Sequence, residues 1–190
     1  MRIPLSQYNF SSLDLNAALV DNLASLGYTE MTPIQAQALP PILANKDVIA
    51  RAKTGSGKTA TFALGLLNKL DVKRFRVQTL VLCPTRELAE QIFKVLDPLA
   101  YELQLYVLAM YGGSPYNKQF RALDRGVDIL VACPGRLIDM MERGAVSLED
   151  VGVVVLDEAD RMADMGFMEP VCKILDKCKP DRQTILFSAT

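Results

Sequence analysis

The residues best equipped for chemistry stand eight in a row: Ala52, Lys53, Thr54, Gly55, Ser56, Gly57, Lys58 and Thr59. Gly55 and Gly57 can take backbone angles closed to other residues, so consecutive N–H groups can turn inward as a nest around phosphate oxygens. Lys58 brings a point charge for the β and γ phosphates of a nucleotide, and the Thr59 hydroxyl can ligate the Mg²⁺ that accompanies them. The flanks agree. The apolar run Val48-Ile49-Ala50 precedes the loop and a helical pattern begins at Ala60, so a helix N-terminus would add its dipole. The strict pattern G-x-x-x-x-G-K-[ST] asks for Gly where Ala52 stands. A plain glycine turn would account for the glycines, but the intact T-G-S-G-K-T and its flanks favour phosphate binding.

A second group lies far downstream, where Val153-Val154-Val155-Leu156 delivers Asp157 and Glu158. Neighbours on a strand point to opposite sides. Asp157 can therefore hold Mg²⁺, generally through its water shell, while Glu158 orients or deprotonates an attacking water, the Walker-B arrangement. Asp160 can bind a neighbouring motif or begin the next helix. The chain has no histidine, which leaves Asp and Glu as the candidates for a base.

These groups need a frame. Runs rich in Val, Ile and Leu recur at 47–51, 79–83, 105–110, 128–132, 151–157 and 184–188, most of them apolar throughout as strands buried on both faces are. Helical spacing fills 59–70, 86–100, 116–124, 135–143 and 167–177. Strands alternating with helices predict an α/β fold, a parallel sheet covered on both sides. Two helices precede the first strand, 16–26 with Asp14 as cap and 33–43 with Thr32 as N-cap and Pro33 in the first turn. Ligands on such sheets sit at the carboxyl ends of strands, where Pro84-Thr85-Arg86, Gly112-Gly113, Cys133-Pro134-Gly135-Arg136, the 157–160 acids and Ser188-Ala189-Thr190 all fall. Met162, Met165 and Met168 read as packing residues of the helix after the acids.

At 190 residues and half hydrophobic, the chain is one domain's worth and can bury a core without staples. A net charge of −1 offers no global field for nucleic acid, so any such site must be local. Cys83, Cys133, Cys172 and Cys178 form no C-x-x-C pair, which with the missing histidine leaves no typical zinc site. Reduced thiols point to the cytoplasm. No leader pattern and no long apolar run is present, so the expectation is neither secretion nor a membrane span.

Taken in order, A-x-T-G-S-G-K-T at 52–59, P-T-R-E-L-A at 84–89, G-G at 112–113, P-G-R at 134–136, D-E-A-D at 157–160 and S-A-T at 188–190 resemble the first-domain motifs of DEAD-box RNA helicases, of bacterial type. Gly27-Tyr28 and Thr32-Pro33-Ile34-Gln35 resemble the family's Q motif, within a segment 8–36, and Phe10 its isolated aromatic. Ala52 is ordinary for that family. The resemblance implies a RecA-like P-loop domain spanning 1–190, ATP and Mg²⁺ as ligands, and RNA as partner. It implies that Gln35 reads the adenine edge, that Phe10 or Tyr28 packs near the base, and that Thr32 supports the P-loop. Tyr28 on its own residues reads rather as core. Pro84, Thr85, Arg86, Gly112, Gly113, Gly135 and Arg136 would follow the RNA backbone, although Arg86 and Arg136 could equally be solvated charges at helix starts. Asp160, Ser188 and Thr190 would couple nucleotide state to the acid loop. Cys133 stands where the family usually has Thr, which puts a hydroxyl contact to RNA in doubt.

In the family a second RecA-like domain, with its arginine finger, follows S-A-T, and Thr190 is the last residue of this sequence. The expectation is an isolated first domain that binds nucleotide but turns it over and unwinds poorly alone. The alternatives are an ATP-gated RNA clamp or a P-loop ATPase or helicase acting on DNA, since RNA preference rests on the resemblance.

Overall fold

The computed structural model describes residues 8–70 and 74–190. Residues 1–7, part of the stretch read as lacking a leader, and 71–73 lie outside the described residues. A short 3-10 turn at Phe10–Ser12 leads into α1 (Ala17–Ser25) and α2 (Pro33–Leu43). Then β1 (Val48–Arg51), α3 (Lys58–Leu67), β2 (Thr79–Leu82), α4 (Arg86–Tyr101), β3 (Val107–Met110), α5 (Tyr116–Arg125), β4 (Ile129–Ala132), α6 (Pro134–Glu142), β5 (Val153–Leu156), α7 (Ala159–Asp164), α8 (Met168–Leu175) and β6 (Gln183–Ser188) follow.

Among the described residues six strands form one sheet in the order β1-β6-β5-β2-β4-β3, and each pairing within it is parallel. All six carboxyl ends therefore share one edge, and the singled-out loops gather there. The central strands β2, β4 and β5 are buried at every residue, the reason they read as unbroken apolar runs. Their alternation feeds two cores. Val81, Val131 and Val155 pack with α1 to α4, whereas Leu80, Leu82, Leu130 and Val154 pack with α6, α7 and α8.

Four expectations need correcting. The cap of α1 is Asn16, not Asp14: Asn16 Oδ1 accepts the Ala18 N–H at 2.9 Å, and the Asp14 carbonyl instead accepts from Asn68 Nδ2. The third strand starts at Val107, because the Leu105 N–H still closes onto Ala100 O at the end of α4 and the Tyr106 N–H goes to the buried Asp128 carboxylate. Edge strands β1 and β3 are not buried throughout; Ile49 is 84% exposed. Of the three methionines only Met162 packs, while Met165 and Met168 lie 46% and 43% exposed.

Candidate nucleotide site and nucleic-acid track

The P-loop needs its glycines at two places. Gly55 and Gly57 have φ of +80° and +89°, the left-handed region that favours glycine. Gly57 is also crowded: a Cβ there would lie 2.8 Å from Gln35 Nε2 and 2.9 Å from Thr32 Oγ1. Its carbonyl accepts the Gln35 amide at 3.3 Å and the Thr61 hydroxyl at 2.9 Å. Ala52 is buried and keeps an ordinary backbone angle, so its position has no need of the glycine the strict pattern asks for.

Lys58 and Asp157 meet inside. The Lys58 Nζ lies 3.0 Å from Asp157 Oδ1, and Asp157 is fully buried. Burial pushes the Asp157 carboxyl up and the Lys58 ammonium opposes it. Oδ1 also accepts the Glu158 N–H, but Oδ2 is buried without a hydrogen-bond partner. A buried, unpartnered carboxylate oxygen beside a P-loop is the place a hard divalent cation completes, so the residues fit Mg²⁺. Glu158 sits in the left-handed region, φ +52° and ψ +50°, at a cost of about 1–2 kcal/mol for a side chain with a Cβ. Such strain persists where surrounding structure imposes it, and here it turns the carboxylate to 3.3 Å from Arg161 Nη1.

A cavity of about 430 Å³ opens over this loop, lined by Tyr28, Thr32, Gln35, Gly57, Lys58 and Thr59 among others. A roomier hollow of about 540 Å³ lies by α6 and α8 but holds none of the residues singled out in the sequence, so chemistry rather than volume locates the site. Lys53, Thr54 and Gly55 are exposed at the rim, and Ser56 braces the turn through its hydroxyl to Lys53 O at 2.6 Å. Tyr28 is half-buried, touching the core and lining the cavity. Phe10 is 3% exposed within the core. Gln35 is spent partly on bracing: Oε1 accepts the Thr32 N–H at 2.8 Å while Nε2 reaches Gly57 O.

The acid loop is tied to the chain's last residues. Asp160 Oδ2 accepts from the Ala189 and Thr190 N–H groups, both at 3.2 Å, and from Thr190 Oγ1 at 3.0 Å; Ser188 Oγ holds the Thr190 N–H at 3.3 Å. Burial would raise the Asp160 carboxyl, but hydrogen bonds from Thr190, Arg161, Ser188 and Ala189 hold it below the usual range.

Along the other half of the edge, Thr85 caps α4 through Leu88 N–H and Pro84 is buried. Arg86 lies over the Tyr111 ring at 5.1 Å and pairs with Glu90 at 2.9 Å. Arg136 lies over Tyr116 at 4.1 Å and donates to Ser114 O and Gln119 Oε1. Gly112, Gly113 and Gly135 are exposed between them; only Gly113, at φ +82°, requires glycine. The sequence reading missed Tyr111, Tyr116, Glu90 and the buried Gln119, which joins Tyr111 O to Arg136. Their sequence signals were two aromatics beside a glycine pair and the i,i+4 spacing of Glu90 from Arg86.

A P-loop, a buried Lys–Asp pair and a carboxylate-bearing strand on one edge of a parallel sheet define a nucleotide-binding P-loop domain. The DEAD/DEAH box helicase family model matches residues 32–190, and the chain belongs to that family. It is 51% identical over 183 residues to the ATP-dependent RNA helicase DbpA of Escherichia coli (strain K12), covering 95% of this chain and 40% of that protein. It is 44% identical to the RNA helicase CrhR of Synechocystis, covering 95% of this chain and 37% of that one. The crystal structure of a DEAD box protein from the hyperthermophile Methanococcus jannaschii superposes with a TM-score of 0.89 at 36% identity, over 96% of this chain and 50% of that chain. The fold is thus the RecA-like domain expected, and the chain spans about two fifths of those helicases' length.

Proposed function

We propose that this chain is the ATP-binding domain of an ATP-dependent RNA helicase, and that residues 1–190 act together with a second RecA-like domain of the same protein. The observation that carries the reading is the buried Lys58–Asp157 pair, whose Asp157 Oδ2 is left unpartnered against the P-loop. The nest of Gly55 to Lys58 receives the phosphates, and Lys58 divides its charge between Asp157 and the phosphate oxygens. Thr59 and Asp157 would hold Mg²⁺, which when bound neutralises charge on the phosphates. Glu158 orients the attacking water and accepts its proton. Gln35 has one N–H and one lone pair beyond its bracing bonds, and that pair of groups suits the adenine edge. Arg86 and Arg136 meet RNA phosphates in a sequence-independent way. Asp160, Ser188 and Thr190 transmit the occupancy of the loop to neighbouring structure.

Calorimetry with ATP, GTP and Mg²⁺ tests the reading. ATP should bind more tightly than GTP, and Gln35→Ala should erode the difference. Equal affinities in the unmutated chain would refute the Q-motif assignment.

A further inference from the structure

Cys83 and Cys133 stand one residue beyond β2 and β4, strands that pair with Leu82 opposite Ala132. The ladder continues past that pair: the Cys83 N–H donates to Ala132 O at 3.1 Å, and the Cys133 N–H to Met110 O at 2.9 Å. The two cysteines therefore face each other across adjacent parallel strands. Their side chains share a face, since both pack in the core that contains α4. Neighbouring strands run about 4.8 Å apart, inside the roughly 4.4–6.8 Å that a disulfide spans between Cα atoms. The Cys83 Sγ reaches β4 as well as its own loop, 3.8 Å from Ala132 O and 3.7 Å from Thr85 O.

The two thiols differ in kind. Cys83 is fully buried and Cys133 half-buried. Cys133 is the N-cap of α6, yet its side chain makes no capping hydrogen bond, so the sulfur is free to face its neighbour. A hydrogen bond from Cys83 holds the Cys133 thiol below its usual range, against burial and the Glu87 carboxylate. Cys83 is pushed well up, by that same contact first and by burial next. A partly exposed thiol whose ionisation is eased, beside a second thiol able to resolve it, is the arrangement of an oxidation-sensitive pair.

We propose that Cys83 and Cys133 form an oxidisable dithiol, in which Cys133 is the entry point for a hydroperoxide and Cys83 resolves it into a disulfide under the candidate RNA track. The Cys133 thiolate attacks a peroxide oxygen; the S–O bond forms, the O–O bond breaks, and the departing hydroxide takes a proton to become water. Cys83 then attacks the Cys133 sulfur, giving its proton to the hydroxyl that leaves as a second water. The two thiols lose two electrons and two protons in all, and hydrogen peroxide takes both. An external dithiol reverses the step by exchange.

The disulfide would bear on RNA through the first turn of α6. Cys133 immediately precedes Pro134, Gly135 and Arg136, and Arg136 is held by Ser114 O and Gln119 Oε1. Drawing the Cys133 sulfur toward β2 strains that anchorage. This consequence rests on the RNA reading above, whereas the disulfide does not.

The test is peptide mass analysis of the 190-residue chain after hydrogen peroxide and alkylation. A Cys83–Cys133 cross-linked peptide should dominate, although Cys172 is the exposed cysteine. Cys83→Ser should leave Cys133 as a sulfenic acid that dimedone traps, and Cys133→Thr should leave Cys83 reduced. Cys83 and Cys133 both fully alkylated after a treatment that oxidises Cys172 would overturn the proposal. A labelled oligouridylate then reads the consequence: affinity should fall several-fold on oxidation, recover with dithiothreitol, and stay constant in Cys83→Ser. A cross-linked chain with unchanged affinity would overturn the control of RNA binding. A chain that binds no oligouridylate even when reduced would instead count against the RNA reading.

Discussion

The two halves of the sheet edge are built on opposite principles. At the β1, β5 and β6 ends the functional groups are buried, strained or short of a partner: Asp157 Oδ2 has no hydrogen bond, and Glu158 is in the left-handed region. At the β2, β3 and β4 ends the cations are already engaged with the protein, Arg86 with Glu90 and Arg136 with Ser114 and Gln119, each against a tyrosine ring. The first half waits for a ligand to complete it, in a medium where each charge interaction is strong. The second presents fixed charges in water, where each is weak and screened, so that several must act together.

The largest effect should follow removal of Lys58. Breaking a buried ion pair on one side costs about 3–5 kcal/mol when the remaining charge stays, and less where Asp157 takes up a proton. Lys58→Ala should thus lower the melting temperature as well as abolish phosphate-dependent binding of ATP. A variant that melts with its parent would show that the pair contributes nothing to stability, and would dissolve the contrast between the halves.

Glu158 sharpens the comparison because its strain and its chemistry can be separated. With the proposed second domain present, Glu158→Gln should bind ATP yet lose roughly 10²- to 10⁴-fold in hydrolysis rate, as expected for a positioned base. Glu158→Gly should lose the same activity and gain up to about 1–2 kcal/mol of stability, because glycine has no penalty at φ +52°. Normal turnover by Glu158→Gln would move the base elsewhere, with Asp160 the first suspect.

The nucleotide half was legible because its chemistry is local. Eight consecutive residues make the P-loop, and a strand of four apolar residues aims two acids; each is written in consecutive residues, although Lys58 and Asp157 meet only in the fold. The sheet was legible for a related reason, since strands buried on both faces leave unbroken apolar runs. What the sequence did not disclose is made by side chains distant in the chain. Gln119 is one polar residue on a polar helix until β3 and α6 bring Tyr111 O and Arg136 against it. Glu90 is the exception, since its i,i+4 spacing from Arg86 on α4 was there to be read. The cap of α1 went to Asn16 because Asn68, far along the chain, takes up the Asp14 carbonyl and the Asn16 N–H. Such contacts have no period and no spacing.

Among the cations of this half, Arg136→Ala and Arg86→Ala should each weaken RNA binding alike for all sequences and reduce the salt slope by about 1. Arg86→Ala should hardly shift the melting temperature, because exposed pairs contribute only about 0–1 kcal/mol, whereas Arg136→Ala should lower it by more, since it leaves the buried Gln119 Oε1 without its donor. Base-dependent losses in either variant would mean that this half reads sequence.

The smallest effect concerns Asp160, where the two halves of the argument can be told apart by pH. Its folded carboxyl lies below the ordinary value of about 3.9, because hydrogen bonds from Thr190, Arg161, Ser188 and Ala189 outweigh burial. A carboxyl lowered by folding contributes stability that is present above the unfolded value and is lost as pH falls through the folded one. Asp157 is raised by burial and runs the other way, its contribution present below the unfolded value and lost as pH rises through the folded one. Melting curves of the parent alone would mix the two. The difference between the parent and Asp160→Asn isolates the first: a modest gap in melting temperature at neutral pH that begins to narrow below about pH 4 and closes as pH falls through the lower folded value. A gap that stayed constant into strong acid would show that the 188–190 segment is held by hydrogen-bond geometry and not by the Asp160 charge. The acid loop would then be coupled to its neighbours in the same way at every pH, and the charge on Asp160 would have no part in the coupling.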